Sequence, residues 1–317
     1  MDLSVIVPVF NEEENLPTLF KSLTNSLVPL QLNFEMIFVD DGSTDKSFAV
    51  LNEFLKESPN RMKLIQLRKN YGQTTAISAG INNAFGDVII LLDADMQNDP
   101  SDIPLLLEKL REGFDVVSGW RKDRKDKYLT RILPSQIANA IISKITGLKL
   151  HDYGCTLKAY RREFLGSFQL YGEMHRFIPV YAQGSGAKIT EVVVHHNERL
   201  HGKSKYGLDR TMKVILDLIT VKFLMSYSGK PMRLFGGVGM GLIIMSTIML
   251  LFLMIRRIFF AISVVESPLF QASLVTLILG VQSIMLGLIA ELLTRTYYES
   301  QGKSTYSIRS IIKNIEE

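Results

Sequence analysis

Short apolar runs alternate with longer stretches of helical spacing over residues 1–120. "LSVIVPVF" is a buried-strand run. "EEENLPTLFKSLTNSL" follows it with leucines at the three- and four-residue intervals of one helix face. The pattern repeats. "FEMIFVDDGSTD" predicts a second strand ending in acidic and turn residues, and "DKSFAVLNEFLKES" the helix it feeds. "MKLIQLRKN" is a third strand, and "GQTTAISAGINNAFG" a small-residue helix stopped by Gly86. "DVIILLDAD" is a fourth strand, "IPLLLEKLREG" a helix and "FDVVSGWR" a fifth strand. Strands rich in Val, Ile and Phe, alternating with helices, predict a parallel α/β sheet.

Beyond Trp120 the pattern breaks. Residues 121–131, "RKDRKDKYLTR", hold six Lys/Arg and two Asp with no apolar periodicity, and predict a loop. "PSQIANAIISKITG" predicts an amphipathic helix with Ile137, Ile141, Ile142 and Ile145 on one face. "DYGCTLKAYRREF" and "AKITEVVVHHNER" supply further strand material, and "LHGKSKYG" a basic loop. From Leu208 the composition changes. "LDRTMKVILDLITVKFLMSYS" is apolar with scattered Lys and Asp, which suits a helix lying in a membrane interface. Residues 234–255 then carry no charge, and residues 269–293 carry one, Glu291. Each stretch is long enough to cross a hydrocarbon core of about 30 Å. The spacing Gly237-xxx-Gly241 would let such spans pack closely. The expected organisation is an α/β domain over 1–207, an interfacial region over 208–230, and a transmembrane hairpin with its tail over 231–317.

Composition sharpens this division. Hydrophobic residues are 47% of the 317, and mean hydropathy is +0.15, which fits a soluble part joined to a membrane part. Net charge is +4, too small to argue for a nucleic-acid partner, so local placement carries more weight. Lys203, Lys205, Arg210, Lys213, Lys222, Lys230 and Arg233 precede the first span, and Arg295, Lys303, Arg309 and Lys313 follow the second. The connection between them holds Arg256, Arg257 and Glu266. That asymmetry predicts a multi-pass protein with the α/β domain and both termini in the cytoplasm. The single cysteine, Cys155, excludes an intrachain disulfide and a Cys-rich zinc site. "MDLSVIVPVFNEEEN" lacks a basic lead-in and is a poor signal peptide.

Ligands of open α/β sheets bind outside the carboxyl ends of the strands. Asp40, Asp41, Asp93, Asp95 and Arg121 each follow a strand, and Arg68 and Lys69 add charge beside a glycine turn. In "GDVIILLDADMQNDP" an apolar run delivers Asp93, Asp95 and Gln97, which would share one side if extension continued through the turn. A hard divalent cation binds through one or two carboxylates plus substrate phosphates. The turn is therefore a candidate metal site, although a solvated acidic strand end has the same local sequence. Asp40 or Asp41 could hold a base or ribose through a carboxylate hydrogen bond. Asp99, before Pro100, reads as turn chemistry.

Pro8, Asn11, Glu12, Asp40-Asp41-Gly42-Ser43, Asp93-Ala94-Asp95 and Gln97, in this order, resemble the family-2 glycosyltransferases with the GT-A fold. "RKNYGQTTAISAG", "DADMQNDP", "DYGCTLKAYRRE" and "VVVHHNERLHGKSKYG" narrow the resemblance to polyprenyl-phosphate glycosyltransferases. These include dolichyl-phosphate mannose synthases and bactoprenol glucosyltransferases. The chain is most similar to undecaprenyl-phosphate 4-deoxy-4-formamido-L-arabinose transferases. The resemblance covers nearly the whole chain. It implies a GT-A nucleotide-diphospho-sugar transferase fold, Rossmann-like with a mostly parallel sheet, followed by interfacial helices and a transmembrane hairpin. By the same resemblance Asp95 and Gln97 would hold Mg²⁺ or Mn²⁺ against the donor diphosphate. Asp93 would contact the donor, through its sugar or through water on the metal. Pro8, Phe10, Glu12 and Asp41 would line the nucleoside pocket, and strand-end placement adds Asp40 and Arg68 to the donor set. Arg121, Arg131 and Ser135 would bind the acceptor phosphate, and Arg199 and Lys205 would clamp the donor phosphates. Asp93, Asp95, Arg121 and Arg131 are the expected catalytic residues. The chain departs from the commoner pattern at Phe10, often Tyr, and at Lys158, often Arg; neither change removes a required charge.

The implied reaction moves one sugar, from a UDP-sugar by expectation, to undecaprenyl phosphate at the inner membrane, with inversion. A phosphate monoester has its second pKa near about 6 and is largely dianionic at pH 7. Such a nucleophile needs no strong general base. It needs positive charge to bring two anions together, and stabilisation of the leaving diphosphate. A processive polysaccharide synthase would carry Gln-x-x-Arg-Trp, but the one tryptophan, Trp120, follows Gly119. A catalytically silent nucleotide-sugar-binding membrane protein is the other alternative, and the intact acidic and basic set argues against it. "HGKS" at 201–204 is no P-loop, because Asn197 stands where that motif needs glycine. His195 and His196 lie in an apparent strand with side chains facing opposite ways, and read as structural or solvent-facing. Cys155 is expected to shape the pocket with Tyr153 and Gly154 rather than to react. Packing between spans could also give a homo-oligomer.

Overall fold

The strands are β1 (Leu3–Val9), β2 (Phe34–Asp40), β3 (Met62–Gln66), β4 (Val88–Leu91), β5 (Val116–Trp120), β6 (Lys158–Arg161) and β7 (Ile189–Val193). The helices are α1 (Leu16–Leu27), α2 (Ser47–Glu57), α3 (Gln73–Asn82), α4 (Ile103–Arg111), α5 (Leu133–Thr146), α6 (Ile178–Gly184), α7 (Pro231–Phe260) and α8 (Pro268–Ser300). This computed structural model describes residues 1–58, 60–122, 133–165, 174–198, 231–260 and 262–300. The chain divides into two compact units, Met1–Lys222 and Phe223–Glu317.

In β1 successive side chains leave opposite faces of the sheet, and both faces are covered. Leu3, Val5, Val7 and Val9 join an apolar layer with Leu16, Leu19, Leu23 and Leu27 of α1, Leu51 of α2, and Ile103, Leu106, Leu107 and Leu110 of α4. Ile6, Ile37, Val39, Ile89 and Leu91 point the other way, to Ala76 and Ile77 of α3 and to Ile178 and Ala182 of α6. The sheet is thus sandwiched, which is why its strands read as near-continuous apolar runs.

The strand order is β3-β2-β1-β4-β6-β5-β7. Neighbours pair in parallel except at β6, which runs antiparallel to both β4 and β5. The sheet is mostly parallel, as expected, and β6 is its antiparallel member. The segment before β6 lies at the carboxyl edge, where Asp152 holds Arg121 just past β5. From that edge the chain can only descend. The strand expected across "DYGCTLKAYRREF" shrinks to Lys158–Arg161, since residues 152–156 form a polar turn in which Asp152 Oδ1 accepts the Gly154 and Cys155 N–H groups. On α5, Ile142 is buried, whereas Ile137 and Ile141 are about half exposed, at 54% and 49%.

In the second unit, α7 and α8 are long and apolar enough to cross a membrane, with mean hydropathies of 2.5 and 2.1 over their most apolar windows. The stretches 234–255 and 269–293 lie within them. They pack through Gly239, where an added Cβ would lie 2.6 Å from the Gly280 carbonyl oxygen, and through Gly280 and Gly287. Ser246 donates to the Ser273 carbonyl at 2.7 Å, and Ser283 to that of Phe235 at 2.8 Å. The Gly237-xxx-Gly241 spacing is not the contact between α7 and α8: among the described residues nothing lies within 4 Å of a Cβ built on either glycine. A four-residue spacing occurs by chance in a glycine-bearing span and does not say which face meets a partner. The basic loop beyond Lys122, the interfacial segment 208–230 and the C-terminal tail lie outside the described residues.

Candidate active site

Hydrogen bonds lace together the loops that leave the carboxyl edge of the sheet. After β1, Asn11 accepts from the Thr44 N–H through Oδ1 at 2.7 Å and donates its own N–H to Ser43 Oγ. The Glu12 N–H reaches Ser47 Oγ at 2.9 Å, and the Lys46 N–H reaches Glu13 Oε2 at 2.7 Å. Glu12 also takes a hydrogen bond from Asn15 Nδ2. The β1 loop and the β2 loop therefore form one body. Pro8 and Phe10 sit at its inner end, partly buried.

Asp40 and Asp41 close β2, and both are buried. Asp40 Oδ1 accepts from the Ser43 N–H at 3.2 Å, while Oδ2 is buried without a hydrogen-bond partner among the described residues. Asp41 accepts from Tyr71 N and Gly72 N at 2.8 Å each, tying the β2 loop to the turn after β3. Burial pushes its carboxyl up, against those two N–H groups. Gly42 makes this contact possible. Its φ is +68°, and a Cβ there would lie 2.5 Å from the Lys69 carbonyl carbon. Arg68 is exposed on the same turn, and Lys69 lies over the Tyr71 ring at 5.1 Å.

Asp93 follows β4 and is gripped on both oxygens. Gln73 Nε2, at the start of α3, donates to Oδ1 at 2.6 Å, and Thr156 Oγ1 donates to Oδ2 at 2.6 Å. Burial, then the Asp95 charge, push its carboxyl up to about 6, against Thr156, Arg121 and Lys158. Asp93, Asp95 and Gln97 are half-buried, whereas Ala94, Met96 and Asn98, which alternate with them, are buried. The backbone is not extended throughout: Met96 has φ +60°, and the Gln97 N–H folds back onto Asp95 Oδ1 at 3.1 Å. Asp99 caps the next turn, accepting from the Ser101 N–H at 2.9 Å.

Arg121 forms a bidentate pair with Asp152, Nε to Oδ2 at 2.7 Å and Nη2 to Oδ1 at 3.0 Å. Burial alone would lower its pKa; the Asp152 carboxylate more than offsets this and raises it. Lys158 is buried and donates to the Tyr153 and Cys155 carbonyls, and burial pushes it down to about 8. Burial pushes the Cys155 thiol up to about 11, which keeps it protonated and unreactive at neutral pH. Ser135 is half-buried near the start of α5. His195 is exposed and pairs with Asp102, whereas His196 is buried; the strand expected across them is corrected, since β7 ends at Val193. Arg131, Arg199 and Lys205 lie outside the described residues.

Sequence reasoning missed the residues that orient the others: Gln73 and Thr156 on Asp93, Asp152 on Arg121, and Asp102 on His195. Each acts 20 or more positions away from its partner, at separations of 20, 63, 31 and 93 residues. No local pattern joins them. The one available signal was residue type, an acid or amide within reach of a strand end.

Comparison with known proteins adds a separate line. The family model described as Glycosyl transferase family 2 matches residues 4–168. A Rhizobium johnstonii protein named dodecaprenyl-phosphate galacturonate synthase is 40% identical over 314 residues, 98% of this chain and 93% of that protein. A Proteus mirabilis protein named undecaprenyl-phosphate 4-deoxy-4-formamido-L-arabinose transferase is 36% identical over 322 residues, 99% of this chain and 97% of that protein. Among solved structures, glucosyl-3-phosphoglycerate synthase from Mycobacterium tuberculosis, in complex with Mg²⁺ and UDP, shares the fold. Its TM-score is 0.51 at 20% identity, covering 71% of this chain and 79% of that one.

Proposed function

Because the chain belongs to glycosyl transferase family 2, we propose that it transfers one sugar from a nucleotide-sugar donor, a UDP-sugar, to a polyprenyl phosphate. The acceptor is undecaprenyl phosphate, and the reaction takes place at the cytoplasmic face of the membrane that α7 and α8 would cross. One observation carries this reading: a half-buried Asp93-x-Asp95-x-Gln97 turn at the carboxyl edge of the sheet, in a chain matched over 98% of its length by a polyprenyl-phosphate sugar synthase.

The donor set fits a hard divalent cation. Among the described residues no three His, Cys, Asp or Glu side chains gather to form a complete cage. One carboxylate and one amide oxygen, Asp95 and Gln97, are what a Mg²⁺ or Mn²⁺ ion completed by substrate phosphates requires. When bound, such an ion neutralises charge developing on the leaving diphosphate.

The chain's own residues do the rest. Pro8, Phe10 and Glu12 line the nucleoside pocket, and the buried Asp40 and Asp41 set its wall from behind. Arg68 adds charge at its rim. Asp93, fixed on both oxygens, presents a rigid polar face to the donor sugar. Arg121 is held by Asp152 and puts a permanent positive charge near the acceptor phosphate, with Ser135 and Arg131. Arg199 and Lys205 clamp the donor phosphates. The acceptor oxygen is already anionic, so no residue serves as a general base. Attack opposite the leaving group inverts the anomeric centre.

The test is purified protein with undecaprenyl phosphate, Mg²⁺ or Mn²⁺ and a panel of labelled nucleotide sugars that includes UDP-uronic acids and UDP-pentoses. One donor should yield a lipid-linked sugar, and Asp95→Ala should abolish it. A panel that yields no product, beside an active control enzyme, refutes the function; near-normal turnover by Asp95→Ala refutes the metal role.

A further inference from the structure

Asp102 ends the turn capped by Asp99 and immediately precedes α4, and its carboxylate makes no capping hydrogen bond to that helix. It turns instead to a segment 93 residues away. Oδ2 accepts the His195 backbone N–H at 2.7 Å, and Oδ1 lies 2.7 Å from His195 Nδ1. The Asp102 side chain is 6% exposed and that of His195 76%, so a buried anchor holds a surface residue.

The consequence lies on either side of this contact. After β7 the chain leaves the sheet at His195 and crosses to the turn that follows β4. His196 forms an antiparallel bridge with Asn98, and the Asn197 N–H donates to the Gln97 carbonyl at 2.9 Å. Asn98 is buried, and its Oδ1 lies 3.4 Å from Cys155 Sγ. The turn carrying Asp95 and Gln97 is thus braced along its far side by residues 196 and 197, and those are anchored by Asp102. Without the brace, a turn with φ +60° at Met96 has several backbone alternatives.

We propose that Asp102 is a positioning residue for the donor diphosphate: by clamping His195 it holds residues 196–197 against Gln97–Asn98 and so fixes the Asp95–Gln97 turn. The inference rests on the donor reading given above. It explains why a buried aspartate is committed to a remote segment, and why an exposed histidine is tied down at both its backbone and its ring. The pairing with Asp102 also raises the His195 pKa, which strengthens the clamp when the ring is charged.

The probe is UDP with Mn²⁺, titrated calorimetrically into the full-length protein in detergent. Asp102→Asn keeps the shape but replaces one acceptor oxygen with a donor, and should weaken UDP–Mn²⁺ binding about tenfold. His195→Ala removes only the ring contact at an exposed position, keeps the backbone N–H, and should weaken it about threefold. The double variant should bind no worse than Asp102→Asn by more than about twofold, because both changes break one clamp. Affinity for undecaprenyl phosphate should stay unchanged in all three. Variants that melt lower yet bind UDP–Mn²⁺ as the wild type does overturn the positioning role, as does equal loss of donor and acceptor affinity. If Asp102→Asn fails to fold, His195→Ala decides alone: threefold weaker UDP–Mn²⁺ binding supports the clamp, and unchanged binding overturns it. Wild-type protein that binds no UDP with Mn²⁺ overturns the donor reading, and this inference with it.

Discussion

Removing Asp152 should strongly destabilise this edge of the sheet. The Arg121 and Asp152 side chains are 12% and 4% exposed, and their bidentate pair closes at 2.7 and 3.0 Å. Replacing Asp152 by Ala leaves a buried guanidinium without its counter-charge, a loss of about 3–5 kcal/mol when one partner of a buried pair is deleted. The Gly154 and Cys155 N–H groups lose their acceptor as well. At roughly 2–4 °C per kcal/mol for a domain of this size, the melting temperature should fall by roughly 6–20 °C. The reporter is built in. Trp120, the one tryptophan, precedes Arg121 and stacks on His151 with ring centroids 4.1 Å apart, so its fluorescence reads this corner directly. Asp152→Asn, which keeps an acceptor oxygen, should lose less than Asp152→Ala. A melting shift under roughly 2 °C for Asp152→Ala, about 1 kcal/mol or less, would show that water screens the guanidinium and that the pair is not a buried one.

In the helical hairpin, Gly239→Val should lower the thermal stability of the detergent-solubilised chain, since its Cβ would meet Gly280 oxygen at 2.6 Å; Gly237→Val, which meets nothing within 4 Å, should not. Equal effects on limited proteolysis of heated samples would refute that packing. His195 should titrate above the ordinary histidine value of about 6.5, because Asp102 hydrogen-bonds to it and carries the opposite charge. The stabilisation from this pair is therefore fully present below about 6.5 and fades as pH rises through the raised folded value. An NMR titration that puts the His195 midpoint at or below 6.5 would contradict the pair, and Asp102→Asn should bring it down.

Strand and helix alternation made the sheet legible, because burial on both faces imposes apolar runs that no loop shows. The direction of β6 was not legible. Whether a strand runs up or down depends on which edge the preceding loop reaches, and at that edge Asp152 meets Arg121 across 31 residues, a contact no local pattern announces. The turn at Asp93–Gln97 was recognisable as acidic, and a shared side was expected if extension continued through it. Extension does not continue: Met96 has a positive φ and the Gln97 N–H folds back onto Asp95, a local geometry that strand periodicity does not encode. The glycine seam of the hairpin was misread for a related reason. A small-residue interval specifies a face only once the partner's side chains are known, and here Ile284 and Ile243 choose Gly239 and Gly280.

Several carboxylates gather at one sheet edge, and like charges so placed oppose each other unless each is held by its own donors. Asp41 has two backbone N–H groups, Asp93 has Gln73 and Thr156, and Asp152 has the Arg121 fork with two further N–H groups. These three carboxylates are braced on both oxygens, so their orientation is set before any ligand arrives. Asp95 is half-buried and accepts the Gln97 N–H of its own turn. A ligand that enters at this edge therefore meets carboxylates whose geometry is already fixed. Such bracing removes the reorganisation that a flexible acidic cluster would undergo on binding, which is the source of electrostatic preorganisation. It also separates two kinds of defect. Loss of Asp95 should remove ligand binding while the fold persists, whereas loss of Gln73 or Thr156 should leave ligand groups in place and misorient Asp93 among them.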